Sequence, residues 1–130
     1  MRVDYLACVA SVLRDVNIVK PEEFDMREWE CGTVACAIGH ACRIPAIAAA
    51  GLTMQYSSIA NRVTSDGSPI AVPCFETFTG FNAVEQFFEL GVKDSDYLFH
   101  GHTYPSISKP TPIDVANRID ELIARAMLTI

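Results

Sequence analysis

Three cysteines and a histidine within a dozen positions form the stretch of the sequence with the most capacity for chemistry. Cys31, Cys36 and Cys42 are three of the five cysteines in the chain, and His40 is one of its three histidines. A thiolate can act as a nucleophile, an imidazole can act as a general base, and both bind zinc. The search for a functional site therefore starts here.

A cysteine nucleophile is the first interpretation of this stretch. Thr33 is a good N-cap and predicts a helix over residues 34–43, so Cys31 would lie just before a helix N-terminus. The helix dipole and the unpaired N–H groups at that end stabilise a thiolate. Against this, two glutamates lie just before Cys31, and their charge would raise the pKa of its thiol. Cys36 is the alternative nucleophile, and the general base would be His40, His100 or His102.

A metal site is the second interpretation. Cys36 and His40 are one turn apart on the predicted helix, so both could reach one ion. The sequence contains no Cys-x-x-Cys pair, however, and Cys42 would project away from the face that Cys36 and His40 share. We therefore favour reduced thiols beside a histidine that hydrogen-bonds a backbone carbonyl. The sequence predicts neither a metal nor another cofactor.

Four other side chains are candidates for binding a ligand. Trp29 could stack on one, although its favoured role is to anchor a loop on the core, since buried aromatic residues chiefly supply packing area. Arg43 would share the helix face of His40. His100 and His102 lie in a stretch that is typical of an exposed loop.

Hydrophobic periodicity and capping residues predict a mainly α-helical chain. An apolar stripe predicts an amphipathic helix over residues 2–16. Pro45 is expected to open a short helix that Gly51 ends in a left-handed conformation. Further predicted boundaries are Asn82 as an N-cap, Gly91 as the end of that helix, and Ser95 as the cap of one more turn.

The last helix has the clearest signals. Thr111 is predicted to cap it, with Pro112 as its first residue and Asp114 as the third residue of a capping box. Residues four apart on its polar side suggest two ion pairs. These pairs are Asp114–Arg118 and Glu121–Arg125.

A small β-hairpin is predicted around residues 62–72, where two short β-prone runs flank a Ser-Asp-Gly-Ser turn. Pro69 and Pro73 would confine it to the edge of a sheet, because proline cannot donate a ladder hydrogen bond. The predicted fold is thus a compact, mainly helical, single globular domain over residues 1–130 with this hairpin added.

Composition and charge restrict the classes of function. The chain has 130 residues, half of them hydrophobic, and a formal charge of −6. An acidic chain without a basic cluster is not expected to bind nucleic acid. No apolar run reaches the length of a membrane span. The odd cysteine count predicts reduced thiols and a cytoplasmic location. The high apolar content is compatible with a homodimer.

The sequence resembles a group of small uncharacterised bacterial and phage-encoded proteins. The similarity begins with Phe24-Asp25-Met26 and Trp29, and continues with Cys-Gly-Thr-Val-Ala-Cys-Ala-Ile-Gly-His over residues 31–40. Residues 87–90, 97–99 and 111–119 add shorter similarities. The resemblance implies a bacterial or phage source and no particular reaction. Because the group also carries tryptophan at the position of His40, it weakens the case for that histidine as a catalyst or ligand.

Three functions follow as expectations. The leading one is a non-enzymatic binding or accessory protein with an unidentified protein or small-molecule partner. The alternative is a cysteine-dependent hydrolase or acyl transferase that uses Cys31 or Cys36 with a histidine. The third is a structural zinc protein.

Overall fold

Two long helices supply much of the core. The computed structural model describes residues 1–26, 30–31, 34–55, 71–105 and 109–128, and at positions 30, 31 and 34 it describes the backbone alone. Helix α1 spans Val3–Val19, which confirms the predicted amphipathic helix and extends it to Val19. Helix α6 spans Pro112–Leu128 and packs along α1. Their buried stripes are Leu6, Val9, Ala10 and Leu13 on α1, and Val115, Ala116, Ile119 and Leu122 on α6.

The start of α6 has the predicted capping box. The Thr111 N–H donates to Asp114 Oδ2 at 2.8 Å, and the Asp114 N–H donates to Thr111 Oγ1 at 3.3 Å. The Glu121–Arg125 ion pair is confirmed at 3.0 Å. The predicted Asp114–Arg118 pair is wrong, because Arg118 directs its guanidinium to backbone carbonyls elsewhere in the chain.

Helix α2, over Ala37–Cys42, begins later than the predicted position 34. Val34–Ala35 instead forms strand β2, which pairs antiparallel with strand β1 at Glu30–Cys31. This pairing keeps the backbone extended as far as Cys36, whose ψ of −178° makes it the N-cap. The predicted cap, Thr33, lies outside the described residues. The pairing of residues 34–35 with residues 30–31 has therefore overridden the local helix signal.

Helix α3, over Pro45–Ala49, has proline at its first position as predicted. Gly51 follows it with a φ of 113°, which confirms the expected left-handed stop. Helix α2 is buried from Ala37 to Ala41, so it packs inside the fold.

The chain also forms a small antiparallel sheet with the strand order β3-β4-β5. Strand β3 spans Thr53–Gln55, β4 spans Val72–Phe75 and β5 spans Phe78–Thr79. The fold class, mainly α with a small β element, is confirmed. Most of the predicted hairpin, residues 62–70, lies outside the described residues, and its last residue, Val72, pairs with Gln55.

Pro73 lies in the middle strand, so the prediction that it marks a sheet edge is wrong. Its carbonyl accepts a hydrogen bond from the Gly80 N–H at 2.8 Å. The Gly80 carbonyl, which would otherwise face the missing proline N–H, accepts from the Ala83 and Val84 N–H groups at 3.1 and 3.3 Å. Proline is tolerated here because the Gly80 carbonyl, which an N–H at position 73 would face, already accepts hydrogen bonds from the start of a helix.

That helix, α4, spans Phe81–Phe88 and has Gly80 as its N-cap, so Asn82 is inside the helix and the predicted cap is wrong. It ends at Glu89, which adopts a left-handed conformation with φ 55°. Gly91 does not end it but caps helix α5 over Val92–Phe99. Ser95 is a buried residue within α5 and not its cap.

One hydrophobic core joins these elements. Phe87 lies at its centre, with its ring 4.9 Å from that of Phe88 and 5.3 Å from that of Phe75. Among the described cysteine side chains, none is in a disulfide: Cys8 is exposed, Cys42 is half-buried, and Cys36 and Cys74 are buried. In the part of the chain that the structure describes, no helix has both the length and the apolar character to cross a membrane.

Candidate functional site

His40 on α2 is held inside the fold. Its side chain is buried, and Nε2 lies 2.8 Å from the Glu23 carbonyl oxygen. Since a carbonyl can only accept, Nε2 carries the proton. The ring also stacks on Phe24, with centroids 6.1 Å apart. The interpretation of His40 as a histidine bonded to a backbone carbonyl is therefore confirmed.

The environment of His40 favours its neutral form. Burial lowers the pKa of the imidazole below 6.5, and the nearby Arg43 charge acts in the same direction. The backbone carbonyls of Glu23 and Ala35 oppose this shift without cancelling it. The ring thus joins α2 to the segment before β1 as an uncharged hydrogen-bond donor.

This lowered pKa predicts a pH dependence of stability. In the unfolded chain His40 binds a proton near pH 6.5, whereas in the folded chain it binds one only at lower pH. Stability from the neutral ring is complete above pH 6.5 and is lost as the pH falls through the folded pKa. We expect His40→Gln, which keeps a donor for the Glu23 carbonyl but does not titrate, to show a smaller loss between pH 7.5 and 5.5. Urea unfolding at both pH values measures this. Equal losses in the two proteins would contradict it.

Cys36 is buried, which makes its thiol a poor candidate for a nucleophile. Its side chain is 3% exposed, and burial raises the pKa of its thiol from 9.0 to about 11. The backbone N–H groups of Gly39 and Ile38, in the first turn of α2, lower it in part, while the charge of Asp25 raises it. A helix N-terminus is therefore present, but desolvation dominates its effect on the thiol.

Cys31 does not lie where the nucleophile hypothesis placed it. Its backbone belongs to β1, and α2 begins at Ala37, so the premise that Cys31 directly precedes a helix N-terminus is wrong. The side chain of Cys31 and all of Trp29 lie outside the described part of the chain. The catalytic role of Cys31 and the ligand-binding role of Trp29 remain predictions.

The remaining candidates are divided between two places. Arg43 is the exposed C-cap of α2. A 3₁₀ turn over Gly101–Thr103 follows α5, with His100 as its N-cap and His102 inside it. A Cβ added to Gly101 would lie 3.5 Å from Cβ of Met26, so this turn packs near the segment that holds His40.

The two loop histidines are not equally exposed. The His100 ring stacks on Phe81 with centroids 3.7 Å apart, and its Nε2 lies 3.1 Å from Asp96 Oδ1. His102 is exposed, with its ring 4.9 Å from that of His100. Among the described side chains, no three of His, Cys, Asp or Glu converge on a position for a metal ion.

Arg118 forms a polar cluster that the sequence did not reveal. It donates to the Tyr97 carbonyl at 2.7 Å, and to the carbonyl and hydroxyl of Thr103, both at 2.9 Å. Its guanidinium lies 3.6 Å from the ring centroid of Tyr104 and 4.2 Å from that of Tyr97. One signal was available: Arg118 follows Val115 by three positions and precedes Leu122 by four, so it borders the buried stripe of α6.

A cleft of about 540 Å³ opens beside this cluster, between α5 and α6. Tyr97 contributes an aromatic ring whose hydroxyl lies 3.3 Å from Glu121 Oε2. Charged groups of both signs surround the ring. The lining residues are Lys93, Asp94, Asp96, Tyr97, Thr103, Glu121 and Arg125. This volume is in the range of small-molecule sites.

Comparisons of the chain with protein-family models, curated proteins and solved structures gave no match.

Proposed function

We propose that the chain is a non-enzymatic binding or accessory protein. The proposal depends on one observation: the two candidate catalytic side chains that the structure describes, His40 and Cys36, are both buried inside the fold. His40 donates to the Glu23 carbonyl at 2.8 Å, and the Cys36 thiol is buried with its pKa raised to about 11. A cysteine enzyme needs the opposite arrangement, an accessible thiol of lowered pKa beside a base.

The α5–α6 cleft is the place where we propose that a ligand binds. The Tyr97 ring offers an apolar face for stacking, while Lys93 and Arg125 can pair with anionic groups of a ligand. Asp94 and Glu121 can accept hydrogen bonds from its donors. A small molecule with a planar part and both acidic and donor groups fits this lining best.

The location and the assembly state are further proposals. Reduced thiols support a cytoplasmic location, and the resemblance noted above supports a bacterial or phage source. Exposed apolar side chains near helix ends support a homodimer. These side chains are Ile18, Val19, Met127 and Leu128.

A thermal-shift screen of small polar metabolites, followed by calorimetry, tests the binding proposal. We expect a ligand that stabilises the protein and loses at least about tenfold in affinity in Arg125→Glu, because the variant places a negative charge in the cleft. Lys20→Glu is the matched control, since Lys20 is similarly exposed and also pairs with a glutamate on the surface.

Two results would contradict the proposal. One is a ligand whose affinity is equally reduced, or equally unchanged, in the Arg125 and Lys20 variants. The other is a substrate-profiling screen that finds turnover and shows that Cys31→Ala or Cys36→Ala abolishes it. The second result would establish the cysteine-dependent enzyme instead.

A further inference from the structure

The binding proposal does not use the two histidines at the 3₁₀ turn, His100 and His102, although Asp96 and Thr103 beside them line the cleft. We propose that His100 and His102 together bind a divalent transition-metal ion of the imidazole-preferring class, such as Zn²⁺, Ni²⁺ or Cu²⁺. This position is separate in sequence from the cysteine-rich stretch, where a zinc site was first considered. The proposal rests on orientation, spacing and accessibility.

Asp96 orients the first imidazole. Its Oδ1 lies 3.1 Å from His100 Nε2, so the neutral ring donates through Nε2 and keeps the lone pair of Nδ1 available. Histidines that bind metals commonly donate their second ring nitrogen to a carboxylate in this way, which fixes the tautomer and makes the ligating nitrogen more basic.

Contacts on both sides restrain the His100 ring. The ring stacks on Phe81 with centroids 3.7 Å apart and planes inclined by 18°. On the backbone side, the Thr103 hydroxyl lies 2.9 Å from the His100 carbonyl and accepts from Arg118. Because the ring and the turn are both restrained, little conformational entropy remains to be lost when an ion binds.

The second imidazole is at a suitable distance. The ring centroids of His100 and His102 are 4.9 Å apart. With metal–nitrogen bonds of about 2.0–2.1 Å, two imidazoles on one ion at angles between 90° and 110° place their centroids roughly 4.5–5.2 Å apart. The two rings meet edge to face with their planes inclined by 62°, so the exposed His102 ring must turn for one of its nitrogens to face the ion.

Two imidazoles leave coordination positions open. Within the described residues no third His, Cys, Asp or Glu completes the set, so water or a ligand from solution would occupy the other positions. Affinity for divalent ions at nitrogen sites rises toward Cu²⁺ in the series of first-row metals. Calcium and magnesium, which prefer oxygen ligands, are not expected to compete.

Titration of the reduced full chain with ZnCl₂ by calorimetry tests the proposal. We expect one ion per chain at this site, and at least about tenfold weaker binding in either His100→Ala or His102→Ala. Asp96 is a positioning residue, so Asp96→Asn should weaken binding by about 10–100-fold. Asp15→Asn, which changes an exposed carboxylate on α1, is the control and should bind within about twofold of the unmodified chain.

NMR of the imidazole nitrogens supplies a readout that a general loss of structure would not mimic. Zn²⁺ should shift Nδ1 of His100 and one nitrogen of His102, while His40 is unaffected. Asp96→Asn should alter the tautomer signature of His100 before any metal is added. His102→Ala removes an exposed side chain, so we expect this variant to stay folded for the comparison.

Three outcomes would overturn the proposal. They are no binding up to about millimolar Zn²⁺, unchanged binding in both histidine variants, and imidazole signals that do not respond to the ion. Binding that survives in the histidine variants but disappears in Cys31→Ser or Cys36→Ser would locate the ion at the cysteine-rich stretch.

Discussion

Arg118→Met is expected to lower the free energy of unfolding by about 2–4 kcal/mol. The substitution keeps an unbranched side chain beside Tyr104 but removes three charge-assisted hydrogen bonds at 2.7–2.9 Å. It also removes the Arg118 donor from the carbonyls of Tyr97 and Thr103, although the Tyr97 carbonyl keeps the Thr103 hydroxyl at 3.2 Å. A buried acceptor left without any donor costs about 1–3 kcal/mol. The contact of the guanidinium with two aromatic rings is lost as well.

Urea unfolding followed by circular dichroism measures this change. Arg125→Met is the matched control on the same helix, because Arg125 forms an exposed pair with Glu121 and should cost under about 1 kcal/mol. Arg118→Lys should restore only part of the loss, since one ammonium group cannot reproduce the planar guanidinium contacts. Equal stabilities of the Arg118 and Arg125 variants would contradict the role assigned to Arg118.

Cys36 is expected to react with iodoacetamide at least about a hundredfold more slowly than Cys8 at pH 8. A rise of the pKa from 9.0 to about 11 lowers the fraction of thiolate at pH 8 by nearly a hundredfold. A more basic thiolate is also a better nucleophile, and this raises the rate again by roughly tenfold. Burial of Cys36 then restricts reaction to molecules that have opened locally, whereas Cys8 is exposed.

Mass spectrometry of peptides after timed labelling gives both rates, and labelling in urea, where burial is removed, supplies the control. Comparable rates for Cys36 and Cys8 in the native protein would contradict the buried-thiol description. They would also revive the cysteine-dependent enzyme as the leading function.

The elements that the sequence predicts well are those whose signals are local and agree with one another. Helix α6 combines a long apolar stripe with Thr111, Pro112 and Asp114 at its start, and every one of these signals favours the same boundary. Helix α1 likewise depends on its own periodicity. For such segments tertiary contacts add stability without changing the local preference.

Predictions failed where a contact that local propensity does not report decided the outcome. Helix α2 starts late because residues 34–35 pair with residues 30–31, and no local propensity reports that pairing. Arg118 has a nearby carboxylate in sequence, but the carbonyls of Tyr97 and Thr103 become available once the turn after α5 folds back. A partly buried guanidinium with three hydrogen bonds contributes more to stability than an exposed i,i+4 pair does.

The candidate site divides in the same way. The carbonyl-bonded role of His40 followed from general rules for buried histidines, without knowledge of the partner. The pairing of His100 with Asp96 spans a single helical turn and could be read from the i,i+4 spacing. The α5–α6 cleft could not, because its walls come from two helices that are separated by twelve residues in the sequence.

The peptide units on either side of Gly80 have a consequence for anyone who redesigns this chain. The Gly80 N–H donates to the Pro73 carbonyl at the end of the sheet, and the Gly80 carbonyl accepts the first hydrogen bonds of α4. Its φ of 64° and ψ of −142° suit glycine, so no other residue fits without strain. A graft, a permutation or a strand replacement is therefore best made outside residues 72–88. A cut at position 80 would remove both the hydrogen bond to Pro73 and the N-cap of α4.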